Sequence, residues 1–282
     1  MNLKTFYVLF YKHRFQKANF LRKIYILLII PFKYVVNLFY LPSKKNLDYF
    51  SKENAYLFTK DINFLFEYFN SDKGNFYINQ YTHPSKKNNK KIVAHGYSKY
   101  YENIFKPLKD NHMNILEIGS FYGNASAALY FYFKNSRIFG ADINPDMFIY
   151  SSKRIKSFYV NSSSLESIKE NIIKKNIHFK IIIEDASHML KDQIISLFYL
   201  FPLIESGGIF IIEELDFPES RVDMRLDQEF PDLKTILKDI INRRDFNSIY
   251  INDYSKKYFL SNYESIEILK GNFNQLAIIK KK

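Results

Sequence analysis

The stretch KIIIEDASHMLKDQI places Glu184 and Asp185 at the end of a β-branched run with His188 three positions on, and GGIFIIEELD places Glu213 and Glu214 at the end of the next such run. In parallel strands of one sheet these C-terminal ends open on a common crevice, so four carboxylates and an imidazole converge there. Like charges at that density raise one another's pKa unless a cation offsets them. Oxygen ligands completed by water suit Mg2+ or Ca2+, and Mg2+ is the expected ion. The alternative is that the acids pair with Lys or Arg, Arg221 and Arg225 following closely in the sequence. His188 has an intrinsic pKa near working pH and is the natural general base. A surface or helix-capping imidazole is the plainer reading.

NILEIGSFYGNASAAL puts a buried strand before Gly119, a turn to Gly123 and then a helix that opens on small residues. Glycine there lets the backbone approach a ligand, and the helix N-terminus offers free N–H groups and a positive dipole end. The next strand, RIFGADINPD, ends in Asp142, 23 residues beyond Gly119. A carboxylate there can accept both hydroxyls of a ribose. The pair points to an adenosine-bearing cofactor, against a bare strand-to-helix turn. A dinucleotide calls for a third glycine in G-x-G-x-x-G. GSFYG lacks it, and with Glu117 ahead of it the motif favours S-adenosylmethionine (SAM) over NAD. Only 8 glycines occur in 282 residues, where average usage of about 7% would give roughly 20, so each has a backbone role to explain.

Strands and helices in alternation are needed to position these groups, and the hydrophobic pattern supplies them. Strands are expected at 114–118, 137–142, 158–161, 180–185 and 208–213, with helices near 123–134, 146–154, 164–175, 189–203 and 231–243. Every connection is long enough for a right-handed crossover, which implies a parallel sheet with helices on both faces. SIEILK and QLAIIKKK, joined by a turn containing Gly271, read as a closing β-hairpin. The fold class is therefore α/β: a doubly wound, mostly parallel seven-stranded sheet with a C-terminal antiparallel hairpin and an N-terminal helical segment. Upstream, one helix is expected over 54–69, ended by SDKG, and another from Tyr97 to Phe105, stopped by Pro107. Three parts result: a basic aromatic segment at 1–45, a helical lid region at 46–110 and the sheet domain at 111–282.

LEIGSFYG with GADIN resembles the first two motifs of class I SAM-dependent methyltransferases, and the terminal hairpin is similar to their last two strands. SDKG at 71–74, HGYSKYYENIF at 95–105, EDASH at 184–188 and GGIFIIEEL at 207–215 further resemble the sugar O-methyltransferases of macrolide biosynthesis and the cephalosporin-hydroxylase-like group. Many members of those groups are encoded with polysaccharide genes. The resemblance covers residues 70–282 and implies methyl transfer from SAM to a sugar hydroxyl, by in-line attack on the sulfonium methyl. On the matching positions His188 is the base, Asp185 is catalytic beside it, and Asp185, Glu213 and Glu214 hold the Mg2+. The cofactor set is Glu117, Gly119, Gly123, Asp142, Asn161, Glu184 and Tyr97. Asp72, Lys73, His95 and Tyr101 join Tyr97 in an N-terminal lid over the sulfonium and acceptor. The sequence departs from the pattern in three places. The usual DDGSH reads EDASH and the usual IEDL reads IEEL, each Glu moving a carboxylate out by one methylene. The third strand ends FYVNSSS, where many relatives carry an Asp near the adenine, leaving Asn161 or Ser162 to substitute.

The net charge of +12 is uneven: residues 1–45 hold nine Lys or Arg and no acid, a balance of +9, which leaves +3 for residues 46–282. From Ile24 to Leu41 the chain is apolar apart from Lys33 and Asn37, with Pro31 in the middle. Its 18 residues sit at the lower edge of a bilayer span, and Lys33 near the centre would cost about 3 kcal/mol. A span and a secretory signal both fit poorly. Two readings stay open, a Pro-broken helix lying in an anionic membrane interface, or an aromatic cap packed on the domain or on a second subunit. Nucleic acid is not the expected partner, since the body adds only one further basic cluster, Lys86, Lys87, Lys90 and Lys91, which reads as a solvated loop. Cysteine is absent, which excludes disulfides and thiol chemistry and suits a reducing compartment. The expected location is the cytoplasm, peripheral on the inner face of the membrane. The acceptor is a glycan or small molecule, and a homo-oligomer stays open. So do two other functions: a non-catalytic membrane-attached scaffold with the same fold, and a small-molecule methyltransferase with no glycan link.

Overall fold

Seven runs rich in β-branched and aromatic residues pair into one sheet in a computed structural model that describes residues 2–78 and 91–282. They are β1 (Asn114–Ile118), β2 (Arg137–Asp142), β3 (Ile155–Tyr159), β4 (Phe179–Glu184), β5 (Ile204–Ile212), β6 (Tyr263–Lys270) and β7 (Gln275–Lys281). Their spatial order is β3-β2-β1-β4-β5-β7-β6, with β1 to β5 parallel and β7 antiparallel between β5 and β6. The order reverses between β1 and β4, where a doubly wound sheet opens its ligand crevice. The register sets Glu117 beside Gly140 and Ile118 beside Glu184, bringing the ends of β1, β2 and β4 level. The isoleucines at 181–183 are buried without alternation, as a strand covered on both faces must be.

The chain begins with α1 (Leu3–Phe10), α2 (Lys12–Gln16) and α3 (Phe20–Phe39), whose own small cluster is Phe6, Ile26 and Ile30. Next, α4 (Leu47–Glu53), α5 (Ile62–Tyr68), α6 (Ser98–Phe105) and α7 (Asn124–Tyr132) close one face of the sheet. Leu47, Phe66, Tyr101 and Phe105 pack there with Phe131, Ile181 and Ile211. The other face takes α8 (Leu165–Asn171) and α9 (Leu190–Leu200), then, after the single turn α10 (Phe217–Ser220), α11 (Leu233–Arg243) and α12 (Asp253–Asn262). Side-chain caps fix several starts: Asp61 accepts the Phe64 N–H, Asp232 the Thr235 N–H and Asn252 the Ser255 N–H, each at 2.8 Å.

The structure departs from the sequence pattern in several elements. Asp61 caps a fresh start, so the expected helix over 54–69 becomes a 3-10 turn (Ala55–Thr59) followed by α5. The helix expected near 146–154 is replaced by a 3-10 turn (Pro145–Met147), a strand pair of Tyr150–Ser151 with Lys45–Asn46, and a β3 that begins at Ile155. The cause is Phe148, drawn fully into the core against Gly123 and Gly140, which pins the segment in an extended path. Pro31 does not break its helix, because α3 runs through it. α9 ends at Leu200 and tightens into a 3-10 turn (Phe201–Leu203), since Pro202 lacks the N–H that an α-helical ladder needs. α12 and the strand pair Phe76–Ile78 with Lys91–Val93 carry no pattern that marks them in the sequence. Lys86, Lys87 and Lys90 lie outside the described residues. Among the described residues no helix is long and apolar enough to cross a membrane.

Candidate active site

Beyond the ends of β1 to β4 lies a cavity of about 610 Å³, within the ~300–1,000 Å³ usual for small-molecule sites. Asp142, Ile143, Asn161 and Ser162 line it on the side of β2 and β3, and Asp185, His188, Glu214 and Phe217 on the side of β4 and β5, with Gly119 after β1 between them and Asp72 and His95 completing the wall. Backbone donors hold Asp142: its Oδ2 accepts the Phe121 N–H at 2.8 Å and its Oδ1 the Asn144 N–H at 2.7 Å. Each oxygen keeps a further lone pair for a ligand hydroxyl. Asn161 Oδ1 accepts the Ser163 N–H at 3.1 Å, which orients the amide at the end of β3.

Gly119 has φ +87°, and a Cβ there would stand 1.8 Å from the Asp185 carbonyl oxygen. The close approach of the parallel β1 and β4 ends demands glycine here, in addition to its place in the cavity wall where the motif expects a ligand. Gly123 caps α7 at φ +80°, and a Cβ there would stand 2.6 Å from the Phe148 ring. It packs the turn and takes no part in lining the cavity.

Below the acidic end sits Lys73, from the turn after α5, with a side chain only 2% exposed. Its ammonium pairs with Asp185 Oδ2 and lies 3.0 Å from Glu213 Oε1 and 3.8 Å from Glu117 Oε1. Glu213 Oε1 also accepts the Tyr101 hydroxyl, and Glu117 Oε2 accepts the Ser126 hydroxyl at 2.6 Å. Burial opposes the charge on Lys73, yet the attraction of Asp185 and Glu213 outweighs it and holds its pKa well above the usual lysine value. Asp185 goes the other way: burial would raise it, and Lys73 with His188 bring it below its ordinary value. Burial dominates the neighbours, lifting Glu117 to about 7 and Glu184 and Glu213 to about 8. One buried cation therefore faces one ionised carboxylate, while adjacent acids hold protons near neutrality.

This is the lysine pairing that the sequence leaves as the alternative to a metal, with Lys73 in place of Arg221 or Arg225. Glu213, expected as a metal ligand, is instead sealed against Lys73 and Tyr101 and does not line the cavity. Of the residues expected on the cofactor, Glu117, Glu184 and Tyr97 also lie outside that lining. Glu117 borders a 30 Å³ recess that shares Gly119 and Asp185 with the cavity, and the Tyr97 ring stacks on His95 at 5.3 Å. Sequence reasoning put Lys73 in a lid and missed its charge-balancing role. Lys73 lies 112 residues from Asp185, so no local spacing could betray the pair, and its one signal is the SDKG motif.

Glu184 gives a direct readout of these buried acids. Its stabilising effect is complete below its ordinary pKa of 4.5 and is lost as pH climbs to about 8. Across that window a single such group costs roughly 1.4 kcal/mol per pH unit. Glu184→Gln, which holds no charge, is expected to flatten the fall in urea midpoint between about pH 5.5 and 7.5. An unchanged slope would mean that Glu184 is ionised in the folded chain.

His188 and Glu214 both occupy left-handed backbone, at φ +55° and +46°, each a strain of about 1–3 kcal/mol that the surroundings must hold. His188 Nδ1 lies 3.8 Å from Glu214 Oε2, its Nε2 lies 3.8 Å from Asp185 Oδ1, and Phe217 meets the ring edge-on at 5.1 Å. Burial lowers the His188 pKa against the pull of Asp185, so the imidazole is neutral at pH 7. Burial, then the charges of Asp185 and Glu213, push Glu214 well above the carboxylate range. His95 approaches the same carboxyl from the other side, Nε2 to Oε1 at 3.2 Å. Donor atoms of Asp185, His188 and Glu214 all fall within 4.8 Å of one another, and His188 Nδ1 and Glu214 Oε2 are buried without a hydrogen-bond partner. Orphaned donors beside an ionised carboxylate fit a small divalent cation. The set differs from the expected one in a single member, His188 standing where Glu213 was placed.

No protein-family model matches the chain. It is 26% identical over 128 residues to the 8-demethyl-8-alpha-L-rhamnosyl tetracenomycin-C 2'-O-methyltransferase of Streptomyces olivaceus, a stretch that is 43% of this chain and 33% of the relative. To the mycinamicin VI 2''-O-methyltransferase of Micromonospora griseorubida it is 25% identical over 128 residues, 43% of this chain and 32% of the relative. The chain thus spans about a third of the length of the curated relatives it matches. Among solved structures, MycE methyltransferase from the mycinamycin biosynthetic pathway, in complex with Mg and SAH, matches with a TM-score of 0.57 at 19% identity, covering 79% of this chain and 53% of that one. At that identity the likeness is one of fold. In its sheet, and in sequence over the aligned stretch, the chain resembles sugar O-methyltransferases built on the class I SAM-dependent methyltransferase fold.

Proposed function

We propose that the chain is a SAM-dependent O-methyltransferase acting on a sugar hydroxyl, with a glycan or a glycosylated small molecule as acceptor. One observation carries this reading. A strained imidazole, His188, neutral at pH 7, lines the same cavity as the backbone-anchored carboxylate of Asp142, the two following strands that flank β1 on opposite sides. The relatives in sequence are named for O-methylation of a rhamnosyl tetracenomycin and of mycinamicin VI, which favours a sugar over other acceptors.

In this reading Asp142 binds the ribose hydroxyls and Asn161 the adenine side. SAM, when bound, supplies a methyl group on a sulfonium that departs as a neutral thioether. A sugar hydroxyl has a pKa far above 7 and must lose its proton as it attacks. His188 takes that proton at Nε2, because Nδ1 is sealed from solvent. The charge that develops on the ring is met across 3.8 Å by Asp185, which Lys73 keeps ionised. Mg2+ prefers oxygen donors, so Asp185 and Glu214 would hold it, and it would polarise the acceptor oxygen as a Lewis acid. A cytoplasmic role in surface polysaccharide synthesis is the finer form of the proposal. The motif resemblance and the cysteine-free composition support it.

Titration calorimetry with SAM, with and without Mg2+, tests the reading. Binding is expected for the parent, weakened about tenfold, or 1.4 kcal/mol, in Asp142→Asn, which keeps one acceptor and loses the charge. No heat with either protein at saturating SAM would overturn it in favour of a non-catalytic relative.

A further inference from the structure

α3 buries Ile26 and Ile30 against Phe6 of α1 and leaves most of its remaining apolar surface open. Leu21, Tyr25, Leu28, Phe32, Val35 and Phe39 are each 49–83% exposed. Their spacing alternates between four and three residues, so they fall along one line of the helix surface, opposite the buried pair. Phe20, Ile24, Leu27 and Leu38, also exposed, widen that line into a band. Scattered exposed apolar residues need no explanation, but a contiguous band of this length marks an interaction surface.

The cations are grouped beside the band. Between α1 and α3 lies a hollow of about 320 Å³, walled by Phe6, Phe10, Tyr11 and Tyr40 and carrying Arg14 and Lys33, both exposed. This pairs an aromatic wall with two charges suited to a phosphate. Residues 1–45 contain nine Lys or Arg and no acid. That balance chooses the occupant. A second copy would set +9 against +9 across a close contact, which Coulomb repulsion opposes. Nucleic acid would satisfy the cations and leave the band in water. An anionic bilayer answers both: acyl chains for the band, and lipid phosphates for the basic side chains. Arg22, Lys23 and Lys33 break the apolar run along α3, and no described helix is long and apolar enough to cross a membrane, so the helix lies in the surface.

We infer that α1 to α3 form a docking platform for an anionic phospholipid surface. The stripe from Leu21 to Phe39 enters the acyl boundary, and Arg14 and Lys33 hold a lipid phosphate in the hollow between α1 and α3. The inference does not rest on the methyl-transfer reading.

Sedimentation of the full chain with sucrose-loaded vesicles tests it, comparing pure phosphatidylcholine with mixtures containing phosphatidylglycerol. At least tenfold tighter binding to the anionic vesicles is expected. Leu28→Glu with Phe32→Glu should remove it. Arg14→Glu with Lys33→Glu should remove the preference for anionic lipid, whereas the same charge change on the body, Lys153→Glu with Lys257→Glu, should leave it intact. All six sites are solvent-exposed, and thermal melting of each variant checks that the fold survives. Equal binding to both vesicle types overturns the inference, as does full competition by free glycerol phosphate or equal losses from the body control. A dimer in sedimentation velocity that Leu28→Glu with Phe32→Glu dissociates would assign the stripe to a second copy and overturn it too.

Discussion

Lys73→Met lowers the stability of the protein by about 3–5 kcal/mol, the expected cost of removing one partner from a buried ion pair. Methionine fills much the same space, so the loss is electrostatic rather than a cavity effect. Asp185 would be left ionised in an apolar setting or forced to take a proton, and Glu213 and Glu117 would lose their nearby cation. Urea denaturation should show the midpoint falling sharply. Lys73→Met combined with Asp185→Asn removes the stranded charge as well and should recover about half of the loss or more, a coupling of roughly 2 kcal/mol or above. That double variant should still be inactive, because the group that stabilises a protonated His188 is gone. A single variant that unfolds at the parent's midpoint would show that Lys73 carries no such load.

The second large effect falls on turnover. His188→Asn, a residue that tolerates left-handed backbone, is expected to lower kcat about 10²–10⁴-fold, the range for loss of a positioned general base. SAM affinity should stay within about twofold, since Asp142 and Asn161 follow β2 and β3, on the other side of β1 from the strand that carries His188. The pH profile separates a base from a packing residue. Burial lowers the His188 pKa, so the parent's acid limb in kcat should lie below about pH 6.5, and the variant's residual activity should lack that limb. Equal losses in SAM binding and kcat would make His188 a structural residue.

The sheet was legible because its strands are short isoleucine-rich runs between turn signals, as at 114–118 and 179–184, where period and length agree. The region after Asp142 was not, because the pull of one phenylalanine into a glycine-lined space overrides local propensity, and nothing near Phe148 reports that Gly123 and Gly140 leave room for it. The candidate site was legible in its strand-end members, Asp142, Asp185, His188 and Glu214, whose positions follow from the crevice rule. Its charge balance was not. Glu213 and Glu214 are adjacent and chemically alike, yet one faces Lys73 and Tyr101 while the other lines the cavity. Only the side of the strand end each takes, and a lysine from a distant turn, separate the two.

One face of the sheet is closed by α4, α5 and α6, drawn from residues 47–105, together with α7. A chain begun at residue 111 would keep all seven strands and still leave Ile181 and Ile211 short of their covering layer, with Asp185 missing its counter-ion. The Rossmann-like half is therefore no portable cassette. Any gene fusion or truncation that inherits the strands of the sheet has to inherit the preceding sixty-odd residues with them, as one folding unit.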